Sequence, residues 1–170
     1  MLHRIATLAA IAALAAGCQP PPPAADPNVA ALMDRQAIDQ LIEGDYPRAL
    51  DAHDWDAYAA LFTADGELSL DGQAATGTAG IKAFVGALPA EPRVIHIISN
   101  LSYTVTGDTA TGGAYWQDIG MVGSGVGVLV AGHYEDTLRK VDGTWKIAKR
   151  GIVIQFVPPA PAALPAAGTE

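Results

Sequence analysis

The amino-acid sequence predicts an α+β domain in which about three N-terminal helices pack on one face of a curved antiparallel sheet. Between residues 29 and 63 apolar residues recur at three- and four-residue intervals, the period of an amphipathic helix. After Pro92 the pattern changes to long strands rich in Val, Ile, Thr and aromatic residues. Helices followed by strands place the helices on one side of the sheet. A wide sheet that curls round a few helices leaves an internal apolar pocket.

The helical part divides into three segments. The first covers residues 29–53, where Gly44 and Pro47 interrupt the apolar repeat. Proline lacks a backbone donor, so we expect a kink or bulge near residues 43–47. Asp54 is the predicted N-cap of the second helix, residues 54–63. Its expected apolar face consists of Trp55, Tyr58, Ala59 and Phe62.

The rest of the domain is expected to consist mainly of strands. A short strand at residues 66–70 and a third helix at residues 79–88 come first. Four long strands follow, at residues 93–107, 108–122, 126–141 and 143–157. Gly107-Asp108 and Asp142-Gly143 are predicted hairpin turns, and the second dipeptide is typical of a type I′ turn.

Residues 1–17 have the pattern of a signal peptide. Arg4 precedes an apolar stretch, residues 5–16, that is too short to span a bilayer. The segment LAAGC resembles the lipobox of bacterial lipoproteins, in which the cysteine, here Cys18, is lipidated. Ala15 stands where an aliphatic residue is usual, so ordinary cleavage after residues 13–15 stays open. Because an unpaired thiol in an exported protein is otherwise unexplained, we expect a membrane-anchored lipoprotein that faces the periplasm or the cell exterior.

The two ends of the chain are expected to lie outside the folded domain. Residues 18–28 are rich in proline and predict a stiff tether. Residues 158–170, rich in Pro and Ala, predict a disordered tail. The folded domain is therefore predicted to cover residues 29–157.

Composition and charge narrow the range of partners. The formal net charge is −8 and no block of Lys or Arg occurs, which argues against nucleic-acid or anionic-membrane binding by the folded domain. Membrane contact is expected through the lipid anchor only. The single cysteine excludes an internal disulfide or a CxxC site. In the segment HYED, strand alternation sends His133 and Glu135 to the face opposite Tyr134 and Asp136, so no metal site is expected.

Three stretches resemble a known family. Residues 37–68, 93–111 and 132–152 are similar to the SnoaL-like branch of the NTF2-like superfamily and, more distantly, to scytalone dehydratase. The resemblance implies a cone-shaped α+β barrel with an apolar pocket between helices and sheet. It also implies chemistry without a cofactor, such as dehydration, isomerisation, aldol ring closure or hydrolysis. In this superfamily the outer face of the sheet often forms dimers, so a homodimer is a secondary expectation.

Two residues match the family's pocket groups. Asp51 matches the aspartate of scytalone dehydratase and His96 matches its partner histidine. A carboxylate that accepts one ring N–H fixes the tautomer, and the other ring nitrogen can then act as general base or acid. Other partners stay open at this point: Asp51 could pair with Arg48 or help to start the second helix, and His96 could bond a backbone carbonyl.

Two departures argue against the dehydration that scytalone dehydratase itself performs. Leu50 and Leu70 stand where that enzyme has tyrosines. The groups that could bind substrate instead are Tyr134, at the position of a pocket-facing asparagine, Asn100, on the same strand side as His96, Tyr46 and Trp116.

The sequence therefore favours an exported, cofactor-independent lyase or isomerase that acts on a small hydrophobic hydroxyl or carbonyl compound. The alternative is a lipid-anchored domain that binds a small molecule or a protein partner without catalysis.

Overall fold

The computed structural model describes residues 26–88, 93–122 and 124–157. The predicted signal peptide, Cys18 and the predicted tail lie outside the described residues. The tether is described only at its end, where Pro27 and Asn28 form the first turn of a helix instead. The side chain of Asp26 accepts a hydrogen bond from the backbone N–H of Asn28 at 2.8 Å, so a capped helix begins two residues before the predicted domain boundary. None of the described helices is long and apolar enough to cross a membrane.

The N-terminal helical run contains the predicted bulge. Helix α1 (Pro27–Asp39) continues through a π-helical segment (Gln40–Asp45) into α2 (Tyr46–Asp51). The backbone N–H of Tyr46 donates to Leu41 O, five residues back. The wider π turn accommodates Pro47, whose ring would otherwise meet the carbonyl group four residues earlier.

The next two helices follow the prediction with one correction. Helix α3 (Trp55–Ala60) is capped by Asp54, whose side chain accepts the backbone N–H of Ala57 at 3.0 Å, as predicted. The helix ends before Phe62, which the sequence predicts on its apolar face. Phe62 is buried in the core as the first residue of a strand. Helix α4 covers Gly77–Gly86.

Six strands form one curved sheet, which is not closed into a barrel. They are β1 (Phe62–Leu70), β2 (Gln73–Thr76), β3 (Val94–Thr106), β4 (Thr109–Val122), β5 (Gly125–Val141) and β6 (Thr144–Phe156). Their order is β2-β1-β6-β5-β4-β3, so β2 and β3 are the edges.

The sheet is mixed, which corrects the expectation of a wholly antiparallel sheet. Strands β1 and β6 pair in parallel, because the chain crosses from β1 to the far edge through α4 and returns strand by strand to lie beside β1. The predicted turn between β5 and β6 is confirmed, since Asp142 and Gly143 have φ of +50° and +79°, the left-handed values that a type I′ turn requires.

The core lies between the helices and the inner face of the sheet. Its centre contains aliphatic side chains with no solvent exposure, namely Ile38, Ile42, Ile81, Leu138 and Ile147. Burying a side chain of this size contributes about 1.5–3 kcal/mol. The helices and the sheet also enclose a cavity.

Candidate active site

A cavity of about 340 Å³ lies between helices α2, α3 and α4 and the inner face of the sheet. Most of its wall is aliphatic or aromatic, with Leu50, Leu70, Phe84, Val94, Val130 and Ile154 among the apolar residues. Leu50 and Leu70 thus line the cavity at the positions where the dehydratase has tyrosines. The charged or titratable groups other than tyrosine on its wall are Asp51, His53, His96 and Asp118.

Asp51 and His96 are in direct contact. Asp51 ends α2 and His96 is near the start of β3, and His96 Nδ1 lies 2.6 Å from Asp51 Oδ1. The same carboxylate oxygen accepts the backbone N–H of His96 at 3.2 Å. These two bonds hold the helix end and the strand together, and a proton on Nδ1 leaves Nε2 as the nitrogen available for chemistry.

The two alternative roles considered for Asp51 are filled by other residues. Arg48 pairs with Asp45 at 3.2 Å on the exposed side of the helix. Asp54, and not Asp51, caps α3.

A second carboxylate at this site, Asp118, was not predicted from the sequence. Asp118 lies opposite His96 in the β3–β4 pairing, and its Oδ1 is 3.2 Å from His96 Nε2. The two atoms are close but are not aligned for a hydrogen bond, and this buried Oδ1 has no hydrogen-bond partner in the described part of the chain. Burial raises the pKa of Asp118, His96 lowers it and the negative charge of Asp51 raises it further.

Asn100 does not belong to the cavity wall, contrary to the prediction from strand parity. A β-bulge between Ser99 and Ser102 inserts an extra residue in β3. Asn100 lies in this bulge with φ of +54° and its side chain is exposed. Because the bulge breaks the alternation, Asn100 and His96 no longer point to the same side.

The other candidate binding residues, Tyr46, Tyr134 and Trp116, line the cavity. Trp116 stacks on Tyr134 with 5.8 Å between ring centroids and an interplanar angle of 15°. The Tyr46 hydroxyl lies 2.7 Å from the Tyr58 hydroxyl. Burial raises the pKa of Tyr134 and of Tyr58, so both remain neutral phenols. The indole Nε1 of Trp116 is buried and has no hydrogen-bond partner among the described residues.

A buried ion pair supports this aromatic wall from behind. Arg150 is fully buried, and its guanidinium group lies 4.1 Å from the ring of Tyr46 and 3.9 Å from the ring of Tyr134. Arg150 donates two hydrogen bonds to Asp136, at 2.8 and 2.6 Å, and Tyr103 donates a third at 2.5 Å. No role for Arg150 was predicted from the sequence. The predicted alternation of β5, with Tyr134 and Asp136 on one face, is confirmed.

His53 lies on the cavity wall next to solvent. It has φ of +54° and stacks on Trp55 with ring centroids 5.1 Å apart. Within the described ranges no three His, Cys, Asp or Glu side chains are grouped to hold a metal ion.

The family model for the SnoaL-like domain matches residues 30–151. The chain belongs to this family. No curated protein is significantly similar in sequence. A candidate scytalone dehydratase from Novosphingobium aromaticivorans is 27% identical, with 84% of this chain and 99% of that chain covered and a TM-score of 0.64.

Two further solved structures share the fold. Rv3472, a protein of unknown function from Mycobacterium tuberculosis, is 29% identical over 78% of each chain, with a TM-score of 0.71. An NTF2-like protein with a cystatin-like fold from Novosphingobium aromaticivorans is 25% identical, with 75% of this chain and 86% of that chain covered and a TM-score of 0.69. The similarity to the NTF2-like fold predicted from sequence is confirmed.

Proposed function

We propose that this SnoaL-like protein is a cofactor-independent lyase or isomerase that acts on a small hydrophobic hydroxyl or carbonyl compound. The observation that carries the proposal is the 2.6 Å contact between His96 Nδ1 and Asp51 Oδ1 on the wall of an apolar cavity. The similarity to a candidate scytalone dehydratase supports a lyase, because that name describes elimination of water.

In the proposed reaction His96 transfers the proton and Asp51 orients the ring. Nε2 removes a proton from a carbon next to a carbonyl group, the electron pair of the C–H bond passes to the carbonyl oxygen, and the Asp51 carboxylate stabilises the resulting imidazolium. In a lyase His96 then returns the proton to the leaving hydroxyl, which departs as water. In an isomerase it returns the proton to another carbon. Such a positioned acid/base contributes about 10²- to 10⁴-fold to the rate.

The substrate oxygen is held by the neighbouring aromatic part of the wall, since Trp116 lies two positions before Asp118, the residue opposite His96 in the β3–β4 pairing. Trp116 Nε1 is a donor without a partner in the described part of the chain, and Tyr134 and Tyr46 line the same cavity. Leu50 and Leu70 offer no hydroxyl group, so the oxygen is bound differently from that in scytalone dehydratase.

The test starts with a thermal-shift screen of small apolar hydroxyl and carbonyl compounds, since a ligand that binds only the native state raises its melting temperature. Compounds that bind are then assayed for turnover. His96→Gln should abolish turnover while leaving folding and ligand affinity nearly unchanged, and Asp51→Asn should lower it about 10²- to 10⁴-fold. His133→Gln, which changes a partly exposed histidine on the outer face, is the matched control. Equal activity of His96→Gln and the unmodified chain would refute the proposal.

A second candidate function is binding without catalysis. It is favoured by the position of Asp118 Oδ1, 3.2 Å from the nitrogen of His96 that would transfer the proton. If this contact persists with a ligand bound, Nε2 is not available to a substrate. A ligand that binds the unmodified chain and His96→Gln equally, with no turnover of any compound, would support this function.

We also propose that residues 1–17 direct export and that Cys18 is lipidated, which would anchor the domain at a membrane facing the periplasm or the cell exterior. The LAAGC segment and the proline-rich residues that follow it support this proposal. Incorporation of labelled palmitate into the full chain, and its loss in Cys18→Ser, is the expected result. Incorporation of the label in both forms, or in neither, would contradict it.

The exposed outer face of the sheet supports a homodimer. Neighbouring strands expose Ile95 (61%), Tyr115 (54%), Met121 (58%) and Val126 (74%) on this face. An apolar patch on several strands is typical of a protein–protein contact, and we propose that a second copy of the chain covers it.

A further inference from the structure

The Asp118 carboxylate lacks the partners that a buried acceptor normally has. Its side chain is 16% exposed, and Oδ1 accepts no hydrogen bond within the described part of the chain. Nearly all buried polar groups in native proteins are paired, because leaving one unpaired costs the desolvation of that group. Burial also raises the pKa of this carboxyl. A group of this kind on a cavity wall points to a missing hydrogen-bond donor.

The charges around the cavity favour a cation. Among the described residues its wall contains two carboxylates, Asp51 and Asp118, with the imidazole of His96 between them, while His53 lies at the solvent side. The nearby guanidinium group of Arg150 lies behind the tyrosine rings and is already paired with Asp136. With both carboxylates ionised, the cluster of Asp51, Asp118 and His96 is negative whether or not His96 is protonated. In a pocket with apolar walls this potential attracts a positively charged ligand and repels an anion.

The residue two positions before Asp118 supplies an independent indication of a ligand. Trp116 lies on the same face of β4, is 6% exposed, lines the cavity, and its Nε1 has no partner among the described residues. The same face of β4 thus carries an acceptor and a donor that both lack a partner in the described part of the chain. Aromatic rings beside them favour a cation further.

We propose that the cavity selects a small apolar compound that carries a basic nitrogen, with the ammonium group paired to Asp118 and an oxygen bound by Trp116. This inference rests on the proposed function only for the oxygen, which belongs to the hydroxyl or carbonyl group next to the carbon that His96 would deprotonate. The substrate class is then an amino alcohol or amino ketone with an apolar body.

The test uses three probes of nearly equal size, namely benzylamine, benzyl alcohol and benzoate, titrated calorimetrically into the purified full chain at pH 7. Benzylamine should bind about tenfold more tightly than benzyl alcohol, because a hydrogen bond between charged groups is stronger than a neutral one. Benzoate should bind more weakly than both. In Asp118→Asn the benzylamine affinity should fall to within about twofold of that for benzyl alcohol.

Asp142→Asn is the matched control, because it removes the same charge from an exposed turn position where Asn is tolerated. The order of the three affinities should not change in this variant. Benzyl alcohol or benzoate binding as tightly as benzylamine would overturn the proposal, as would an unchanged preference in Asp118→Asn. The order of the three affinities in the unmodified chain tests the proposal even if Asp118→Asn does not fold.

The probes cannot eliminate water, so the titration measures binding separately from catalysis. A preference for benzylamine in a chain that turns over no compound would support this inference and contradict the proposed function. Turnover of neutral hydroxyl compounds together with equal affinity for all three probes would support the proposed function and contradict this inference.

Discussion

The buried pair of Arg150 and Asp136 allows a quantitative prediction for Asp136→Asn. Both side chains have no solvent exposure, and Asp136 accepts two hydrogen bonds from Arg150 and one from Tyr103. Burial by itself would lower the pKa of Arg150, but the negative charge of Asp136 raises it well above its usual value. The guanidinium group therefore depends on this one carboxylate for its charge compensation.

The expected cost follows from what the substitution leaves behind. Asn has nearly the volume of Asp, so no cavity forms, but the guanidinium charge stays buried without its counter-ion. Arg150 Nη1 already has no hydrogen-bond partner in the described part of the chain. Without the Asp136 carboxylate, the positive charge of the guanidinium group would therefore have little left to compensate it. Removing one partner of a buried ion pair costs about 3–5 kcal/mol. This loss is a large fraction of the free energy of unfolding of a domain, which is about 5–15 kcal/mol. It should lower the melting temperature by roughly 10–20 °C.

Urea unfolding followed by tryptophan fluorescence measures this loss. Asp65→Asn is the control, since Asp65 also pairs with an arginine, Arg139, but at the exposed surface, where little change is expected. Adding Arg150→Met to Asp136→Asn should restore part of the stability, because the double variant leaves no buried charge. If Asp136→Asn unfolds at the same urea concentration as Asp65→Asn, the reasoning about the buried charge is wrong.

Three further predictions concern stability and assembly. Asp118→Asn should unfold at higher urea concentration than the unmodified chain at pH 7, because the raised pKa makes ionisation of Asp118 costly in the folded state as the pH rises. This advantage should shrink as the pH falls and disappear below about pH 3, where the acid is protonated in both states, and an advantage independent of pH would contradict the explanation. Ile38→Ala should lower the free energy of unfolding by about 2–5 kcal/mol in urea titrations, since the side chain is fully buried, and a loss below 1 kcal/mol would show that the core collapses round it. Val126→Glu should convert a dimer into a monomer in light-scattering measurements; an unmodified chain that is already monomeric would refute the proposed dimer.

Local rules were sufficient for several parts of this fold. Pro47 predicted the irregularity near residues 43–47, and Asp54 predicted the start of α3. The Asp142-Gly143 dipeptide predicted the last hairpin turn. Each of these depends on the backbone chemistry of one or two residues. The contact between Asp51 and His96 is of another kind, because it joins residues 45 positions apart and came from the family resemblance.

One local irregularity explains two errors about the site. Counted from the Thr106–Thr109 pair of the hairpin, His96 would lie opposite Ile119. The bulge in β3 shifts the register by one residue, which brings Asp118 to His96 and turns Asn100 outward. No residue type in the sequence marks a bulge of this kind, so neither consequence could be predicted from alternation alone.

Arg150 shows a second limit. A charged residue in a strand is ordinarily exposed. Its burial depends on Asp136 of the neighbouring strand and on the tyrosines that cover it, and these meet only after the sheet has formed.

The π-helical segment couples the core to the cavity through helix phase. Successive residues of an α-helix are rotated by about 100°, and a π turn contains one residue more than the α-helical turn it replaces. If the same residues formed an ordinary helix without this wider turn, Asp51 would be rotated by about that angle relative to Ile38. Either the isoleucine would leave its packing or the carboxylate would turn away from the imidazole, so the wider turn keeps the core residue and the cavity residue each in place.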